Sequence, residues 1–186
     1  MRVAAAFADA ALLAVGVVAG ALLARASQET ETLTETVTLT TTAATVSDSQ
    51  LPARVEETRA ALLAAAEAGD YEELRPYVSP ELAYTFGGPV EGGPIAYWQE
   101  LERTTDERPL ETLAELLRLP YVLSRGIYVW PWTYTVERAA DLSAHERELL
   151  APLGSPGELF APGAGYLGWR TGISPDGTWT FFVAGD

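Results

Sequence analysis

The sequence contains no cysteine, no lysine and no asparagine, and its one histidine is His145. Without cysteine the chain has no disulfide, no cysteine nucleophile, no lipoprotein anchor and no zinc site that uses thiolates. Because the chain has no lysine, all 12 of its Lys and Arg positions are arginines. The 26 acidic residues bring the formal net charge to −14. A chain this acidic, with no basic stretch, lacks the footprint that nucleic-acid binding requires. A hydrophobic fraction of 48% still suffices for a folded core.

Charge is scarce at the N-terminus, where residues 3–24 are apolar except for Asp9. Counted from Val3 the segment is long enough to span a membrane, for which about 20 residues are needed. Its uninterrupted part, residues 10–24, has instead the length of a signal-peptide core, and a small-x-small pattern allows cleavage after Ala26. We favour a retained signal-anchor over a cleaved signal peptide. A buried helix of a soluble domain is the third alternative, and it lacks the expected polar/apolar periodicity.

The composition changes abruptly at residues 27–50, which hold nine threonines and four acidic residues without glycine, proline or aromatics. A strand also alternates with period two, but here the positions between threonines mix Glu with Leu and Val. We therefore predict a solvated, extended stalk. The chain then divides into residues 1–26 as signal-anchor or signal peptide, residues 27–50 as stalk, and residues 51–186 as one extracytoplasmic domain. The expected location is the cell membrane with a single span, or outside the cell if the leader is removed.

The domain of residues 51–186 is predicted to be α+β, with early helices packed on a late antiparallel sheet that a C-terminal hairpin closes. Apolar spacing and proline or glycine signals predict helices in the first half. These are a helix from Pro52 that Gly69 ends, a short helix begun by an Asp70–Glu73 capping box, a helix opened by Pro94, and a helix over 106–119.

The second half of the domain is predicted to be β-rich. One strand is predicted earlier, at 82–86. A short strand follows at 121–124 and a stronger one at 127–136, and a charged helix covers 143–150. The chain closes with strands over 166–173 and 178–184. Between them the residues Ser174-Pro175-Asp176-Gly177 have the chemistry of a type I turn followed by a positive-φ glycine.

Four segments of the domain are distinctive: Phe86-Gly87-Gly88-Pro89, Ile95-Ala96-Tyr97-Trp98, Tyr128-Val129-Trp130-Pro131 and the closing run GISPDGTWTFFVAGD. Together they resemble a family of uncharacterised exported bacterial proteins. The resemblance covers roughly residues 55–186, and it implies export and a shared fold without assigning catalytic residues. The order of helices and strands is also similar to the cone-shaped fold of nuclear-transport-factor and polyketide-cyclase-like proteins.

His145 is the one imidazole that catalysis could use. Ser143 and Glu146 form a capping box that places it in the first turn of a charged helix, which favours a solvated position over a catalytic one. The sequence has no Gly-x-Ser-x-Gly elbow and no calcium-loop motif, and its glycine pairs lack the lysine of a phosphate loop. We predict no metal and no cofactor.

A hydrolase of cell-wall polymers can work with two carboxylates and no histidine. Glu91, in the Gly/Pro-rich loop, and Asp106, at a predicted helix start, are the least arbitrary pair. Both also have ordinary explanations, because Asp106 can cap its helix and Glu91 can be a solvated loop residue. This hydrolase is the alternative to the function proposed next.

The most informative pattern is the aromatic stripe Tyr128, Trp130, Trp132 and Tyr134. Within one strand, period two places all four rings on the same face, and Pro131 predicts an edge or a bulge. The rings are either a platform for a sugar ring or apolar ligand, to which Trp169 and Trp179 add aromatic surface, or part of the domain core. We predict non-enzymatic binding of an envelope glycan or small apolar ligand. A third hypothesis is a structural or regulatory partner domain that uses its acidic surface.

Overall fold

Proline and glycine set the ends of the first helix in the computed structural model, which describes residues 50–185. Helix α1 starts directly after Pro52 and ends at Gly69, whose left-handed backbone (φ 69°) is the conformation that glycine adopts without a steric penalty. The predicted leader, residues 1–26, and the predicted stalk up to residue 49 lie outside the described residues. Within residues 50–185, no helix is both long enough and apolar enough to cross a membrane.

Five α-helices and six strands follow one another in the described part of the chain. The helices are α1 (Ala53–Ala68), α2 (Gly93–Thr104), α3 (Pro109–Arg118), α4 (Ala144–Leu150) and α5 (Pro156–Leu159). The strands are β1 (Val122–Ser124), β2 (Ile127–Trp130), β3 (Phe160–Ala161), β4 (Gly165–Tyr166), β5 (Arg170–Ile173) and β6 (Trp179–Val183). The helices precede most of the strands, as predicted.

Strands β1, β2, β5 and β6 form an antiparallel sheet in that order, and β3 pairs with β4 in a separate ribbon. Trp130 of β2 lies opposite Thr171 of β5, which lies opposite Phe182 of β6. Residues opposite one another share a face of the sheet, so these three side chains point the same way. Helices α1, α2 and α3 contribute most of the buried side chains that pack with Trp130 and Phe182. The predicted α+β arrangement, helices packed against an antiparallel sheet, is confirmed.

The other face of the sheet is covered by the chain between β2 and β5. Val129 and Val122 lie opposite each other there and pack in a second cluster with residues of α4, α5 and the β3–β4 ribbon. The sheet therefore separates two apolar clusters. The buried side chains of the second cluster are Val122, Val129, Trp132, Leu142, Leu150, Leu159, Phe160 and Tyr166.

The closing hairpin has the predicted turn. Gly177 has φ 89° and donates its N–H to the Ser174 carbonyl at 2.9 Å, while the Asp176 carboxylate accepts from the Thr178 N–H at 3.1 Å. The register shifts between Gly172 and Ile173. A shift of this kind is a β-bulge, which bends the strand and increases its twist.

Several predicted boundaries were wrong. Helix α3 begins at Pro109 and not at Asp106, because the proline ring suits the first helical turn and Asp106 remains in the preceding bend. The segment 82–86 contributes only a single parallel bridge, from Ala83 to Phe181 on β6. Asp70 does accept the backbone N–H of Glu72 at 2.8 Å, but the helix that follows is a 3-10 helix, Glu72–Tyr77, without a capping box.

Candidate functional site

The predicted aromatic stripe does not lie on one face of a strand. Strand β2 ends at Trp130, and Trp132–Thr135 is a 3-10 helix. The predicted strand over 127–136 was therefore wrong, and so was the single face for all four rings. Pro131 is neither at a sheet edge nor in a bulge, because β2 is an inner strand that ends just before it. In the 3-10 helix after Pro131, side chains repeat every three residues and not every two. The later rings therefore do not share the face on which Tyr128 and Trp130 lie.

Trp130 and Trp132 are both 1% exposed, and they belong to different clusters. Trp130 packs under the helices, with its ring centre 5.6 Å from that of Tyr121. Trp132 lies on the opposite face, where its indole N–H donates to Glu146 of α4 at 3.4 Å. Tyr128 is half-buried and packs beside the first cluster. Among the four predicted rings, only Tyr134 is exposed (36%).

Tyr134 contacts an arginine from β5. The guanidinium carbon of Arg170 lies 5.8 Å from the centre of the Tyr134 ring and 5.4 Å from the centre of the Phe86 ring. Phe86 is 56% exposed, the second most exposed of the large hydrophobic side chains in residues 50–185. Cation–π attraction of this kind contributes about 0.5–1 kcal/mol at exposed positions. The fold therefore places an arginine beside two solvent-facing aromatic rings.

Arg170 and Tyr134 line an open cleft of about 820 Å³, which we call the arginine cleft. It lies between the β1–β2 turn, the segment after the 3-10 helix and the β3–β4 turn. Three arginines and one glutamate carry its charge. The lining residues are Ser124, Arg125, Tyr134, Thr135, Val136, Glu137, Arg138, Gly163, Ala164, Gly165, Tyr166, Leu167 and Arg170.

The arginines of the cleft differ in their partners. Arg138 forms an exposed ion pair with Asp141 at 2.7 Å, which lowers the pKa of that carboxyl. Arg125 and Arg170, by contrast, have no side-chain hydrogen bond and no ion pair with any residue in the described part of the chain. Beyond residue 50 the chain has 21 acidic residues and 10 arginines. Two unpaired arginines in one cleft are therefore unexpected for this composition.

Arg125 also occupies an unfavourable backbone conformation. Ser124 pairs with Ile127 across a two-residue turn in which both Arg125 (φ 50°) and Gly126 (φ 81°) have positive φ. Such a turn prefers Asn-Gly or Gly-Gly, because a bulky L-residue pays about 1–2 kcal/mol in the left-handed region. Arg125 is the one residue other than glycine with positive φ in residues 50–185. Strain of this kind is often found at functional positions.

Tyr166 closes the inner wall of the cleft. Its hydroxyl donates to the Trp169 carbonyl at 2.8 Å. Burial raises the pKa of this hydroxyl far above its usual value, while the nearby charge of Arg170 lowers it in part. Tyr166 is therefore a neutral wall residue whose donor is already engaged, and the unengaged charged donors of the cleft belong to Arg125 and Arg170.

A second opening, of about 740 Å³, surrounds Trp169, the residue before Arg170. The Trp169 indole N–H donates to the Glu107 carboxylate at 2.9 Å, and the ring centre lies 4.7 Å from that of Phe182 on β6. We call this opening the Trp169 cleft. It lies between α1, α3 and the chain around α5, and its charged rim consists of Glu67, Glu107, Arg108, Glu111, Glu115 and Arg118.

The predicted catalytic candidates are dispersed. Glu91 and Asp106 are both exposed, and neither lines the arginine cleft or the Trp169 cleft. His145 is exposed in the first turn of α4, and the capping box of Ser143 and Glu146 is present, as predicted. No group of three or more described acidic or histidine residues is arranged to hold a metal ion.

Sequence reasoning missed Phe86, Arg125 and Arg170, although a signal for the arginines was present. Seven of the ten arginines beyond residue 50 have an acidic residue three positions away, and in five cases the structure pairs them. Arg125, Arg147 and Arg170 have no acidic residue three positions away. An arginine without a local acidic partner in so acidic a chain is a candidate for binding something else.

The chain matches no protein-family model, no curated protein and no solved structure. The resemblance to exported bacterial proteins and the similarity to the cone-shaped fold therefore stay predictions. Any assignment of function depends on the clefts themselves.

Proposed function

We propose that this chain is a non-enzymatic binding domain outside the cytoplasm, tethered by residues 3–24 or secreted, that binds an envelope glycan or another small ring-bearing ligand. The location is supported by the apolar leader and the threonine-rich segment of the sequence. The binding role is supported by one structural observation, the exposed Tyr134 ring against Arg170 at the mouth of the arginine cleft.

An exposed aromatic ring beside a cleft is a common contact for a sugar, because the ring face covers the C–H groups while neighbouring donors bind the hydroxyls. Tyr134 offers such a face. Phe86 provides a second exposed ring beside Arg170. The arginine cleft thus retains one residue of the predicted aromatic stripe, Tyr134, beside Arg170, and Phe86 lies against the same arginine.

The binding role is tested with purified domain and immobilised envelope polysaccharide. Tyr134→Ala is expected to reduce retention about tenfold, because aromatic contacts to ligand rings are commonly worth about 1–3 kcal/mol. Leu123→Ala is the matched control, since Leu123 is exposed but lies opposite Tyr128 and so points to the other face of the sheet from Arg170. Equal loss in both variants, or no loss in Tyr134→Ala, contradicts the assignment.

The location is tested in intact cells that produce the full chain. Protease added outside is expected to cut within residues 27–50 and to release a fragment that contains the domain. If cleavage occurs only after the cells are lysed, the extracytoplasmic location is wrong.

A further inference from the structure

We infer that the ligand of the arginine cleft carries an oxyanion, a carboxylate or a phosphate attached to a sugar, and that Arg125 and Arg170 bind it. This inference rests on the proposed function and names its ligand class. The shared chemistry is an anionic group with two or more acceptor oxygens next to a ring that stacks on Tyr134.

Charge is the first argument. Arg125, Arg138 and Arg170 face a single carboxylate in the lining, that of Glu137. The rest of the domain is strongly acidic, so an anion gains attraction at this cleft and meets repulsion elsewhere on the surface. We therefore expect an anionic ligand to bind at the arginine cleft and not elsewhere on the domain.

The aromatic contacts of Arg170 are the second argument. Both ring contacts lie within the distance at which a guanidinium is attracted to an aromatic face. An aromatic ring supplies no acceptor oxygen, so these contacts do not satisfy the guanidinium N–H groups. Those donors have no acceptor in the described part of the chain. A planar fork of free donors held in place by rings is the group that binds carboxylate or phosphate with two parallel hydrogen bonds.

The backbone of Arg125 is the third argument. Asparagine or glycine would stabilise the β1–β2 turn, yet the chain places an arginine there, in the lining of the cleft. A residue that costs stability and lines a cleft is expected to contribute to binding. Arg125 lies in the β1–β2 turn and Arg170 begins β5, so the two arginines line the cleft from two separate segments.

An acidic peptide is the competing occupant, since it also supplies carboxylates. Tyr134 and Phe86 favour a sugar, because a glutamate side chain has no ring to place on them. The experiment below includes both classes.

The test is calorimetric titration of the domain with four probes: trigalacturonate, glucose 6-phosphate, neutral chitotriose and a tetraglutamate peptide. We expect trigalacturonate or glucose 6-phosphate to bind at least about tenfold more tightly than chitotriose and tetraglutamate. Tighter binding of trigalacturonate identifies a carboxylated sugar, and tighter binding of glucose 6-phosphate identifies a phosphorylated one. The affinity is expected to fall as salt rises.

Three variants locate the anion. Arg170→Gln and Arg125→Asn are each expected to weaken binding of the anionic probe about tenfold or more. Asparagine fits the positive-φ position, so Arg125→Asn is expected to unfold at the same or a higher temperature than the wild type, which separates lost binding from lost folding. Arg54→Gln is the control, because Arg54 is exposed on α1 and lies outside the cleft.

The outcomes are distinguishable. If chitotriose binds as tightly as the anionic probes and depends on Tyr134 but not on Arg125 or Arg170, the oxyanion inference is overturned and the proposed binding function stands. If tetraglutamate binds most tightly, the ligand class is wrong. If no probe binds, in a chain shown by circular dichroism to be folded, both the inference and the proposed function are overturned.

Discussion

The hydroxyl of Thr58, on the buried side of α1, donates a 2.7 Å hydrogen bond to the carbonyl oxygen of Gly177, in the turn of the last hairpin. The two residues are 119 positions apart, so the bond joins the beginning and the end of the domain. Gly177 is sensitive to substitution because of this close approach. A Cβ added there would lie 2.9 Å from the Arg54 carbonyl oxygen and 3.2 Å from the Thr58 hydroxyl.

Gly177→Ala is therefore expected to destabilise the domain by about 2–3 kcal/mol. Positive φ accounts for about 1–2 kcal/mol, and the collision with α1 adds the rest. Gly163→Ala is the matched control, because Gly163 has φ 79° with nothing within 4 Å of the added methyl group. Urea denaturation measures both variants. Equal losses would show that α1 does not pack on the turn as described.

Thr171→Val is expected to cost about 1–3 kcal/mol, although valine has nearly the shape of threonine. The buried Thr171 hydroxyl accepts from the Trp179 indole N–H at 2.8 Å, and valine leaves that donor without a partner. Thr180→Val is the comparison. The Thr180 hydroxyl donates to the Gly172 carbonyl at 2.8 Å, and the residue is only half-buried. A larger loss of unfolding free energy in Thr180→Val than in Thr171→Val would contradict the buried hydrogen bond between Trp179 and Thr171.

Glu146 is expected to make stability depend on pH. The hydroxyl and the backbone N–H of Ser143 lower the pKa of the Glu146 carboxyl below its usual value, and the Trp132 indole lowers it further. Because the pKa is lower in the folded state, the stabilisation is complete above about pH 5 and disappears as the pH falls through the folded-state pKa. Glu146→Gln is therefore expected to be less stable than the wild type at pH 7, and the difference is expected to shrink near about pH 3.

Glu148→Gln is the control for this pH dependence. Glu148 lies on the same helix and is exposed, with no hydrogen-bond partner for its side chain in residues 50–185. Glu148→Gln removes a carboxylate from α4 without breaking a hydrogen bond, so comparing the two variants isolates the bonds made by the Glu146 carboxylate. A Glu146→Gln difference that grows on acidification would show that the carboxylate is not stabilised in the folded state.

Arg118 joins two helices, with 2.7 Å ion pairs to Glu67 of α1 and Glu115 of α3. All three side chains are well exposed, so Arg118→Ala is expected to cost little stability, and less again in about 1 M salt. Leu117→Ala, one residue earlier and fully buried, should cost about 2–5 kcal/mol. Thermal unfolding at low and high salt compares them. A salt-independent loss in Arg118→Ala as large as that in Leu117→Ala would refute this ranking.

The local signals of the sequence were enough for the α+β class, the ends of α1, the cap of α4 and the closing turn. Each of the local features depends on residues within a few positions of one another, such as Gly69 after its helix or Ser143 before Glu146. The start of α3 was misplaced because Asp106 and Pro109 are both helix-start signals, and the proline prevailed.

The candidate site was only partly predictable, because its parts are distant in sequence. The two-residue spacing correctly places Tyr128 and Trp130 on one face of β2, but this strand ends at Trp130. Tyr134 then meets Phe86 and Arg170 through the pairing of β2 with β5 and the bridge from Ala83 to β6. No local pattern encodes that meeting. The arginines without acidic neighbours were visible in the sequence, but their common cleft was not.

Side-chain NMR of the arginine Nε–H groups, during titration with trigalacturonate or glucose 6-phosphate, shows directly where an anion binds. Binding in the arginine cleft predicts saturable shifts at Arg125 and Arg170, with Arg54 and Arg147 unchanged. Shifts of equal size at all the arginines of the domain, or shifts confined to Arg108 and Arg118 of the Trp169 cleft, would contradict it.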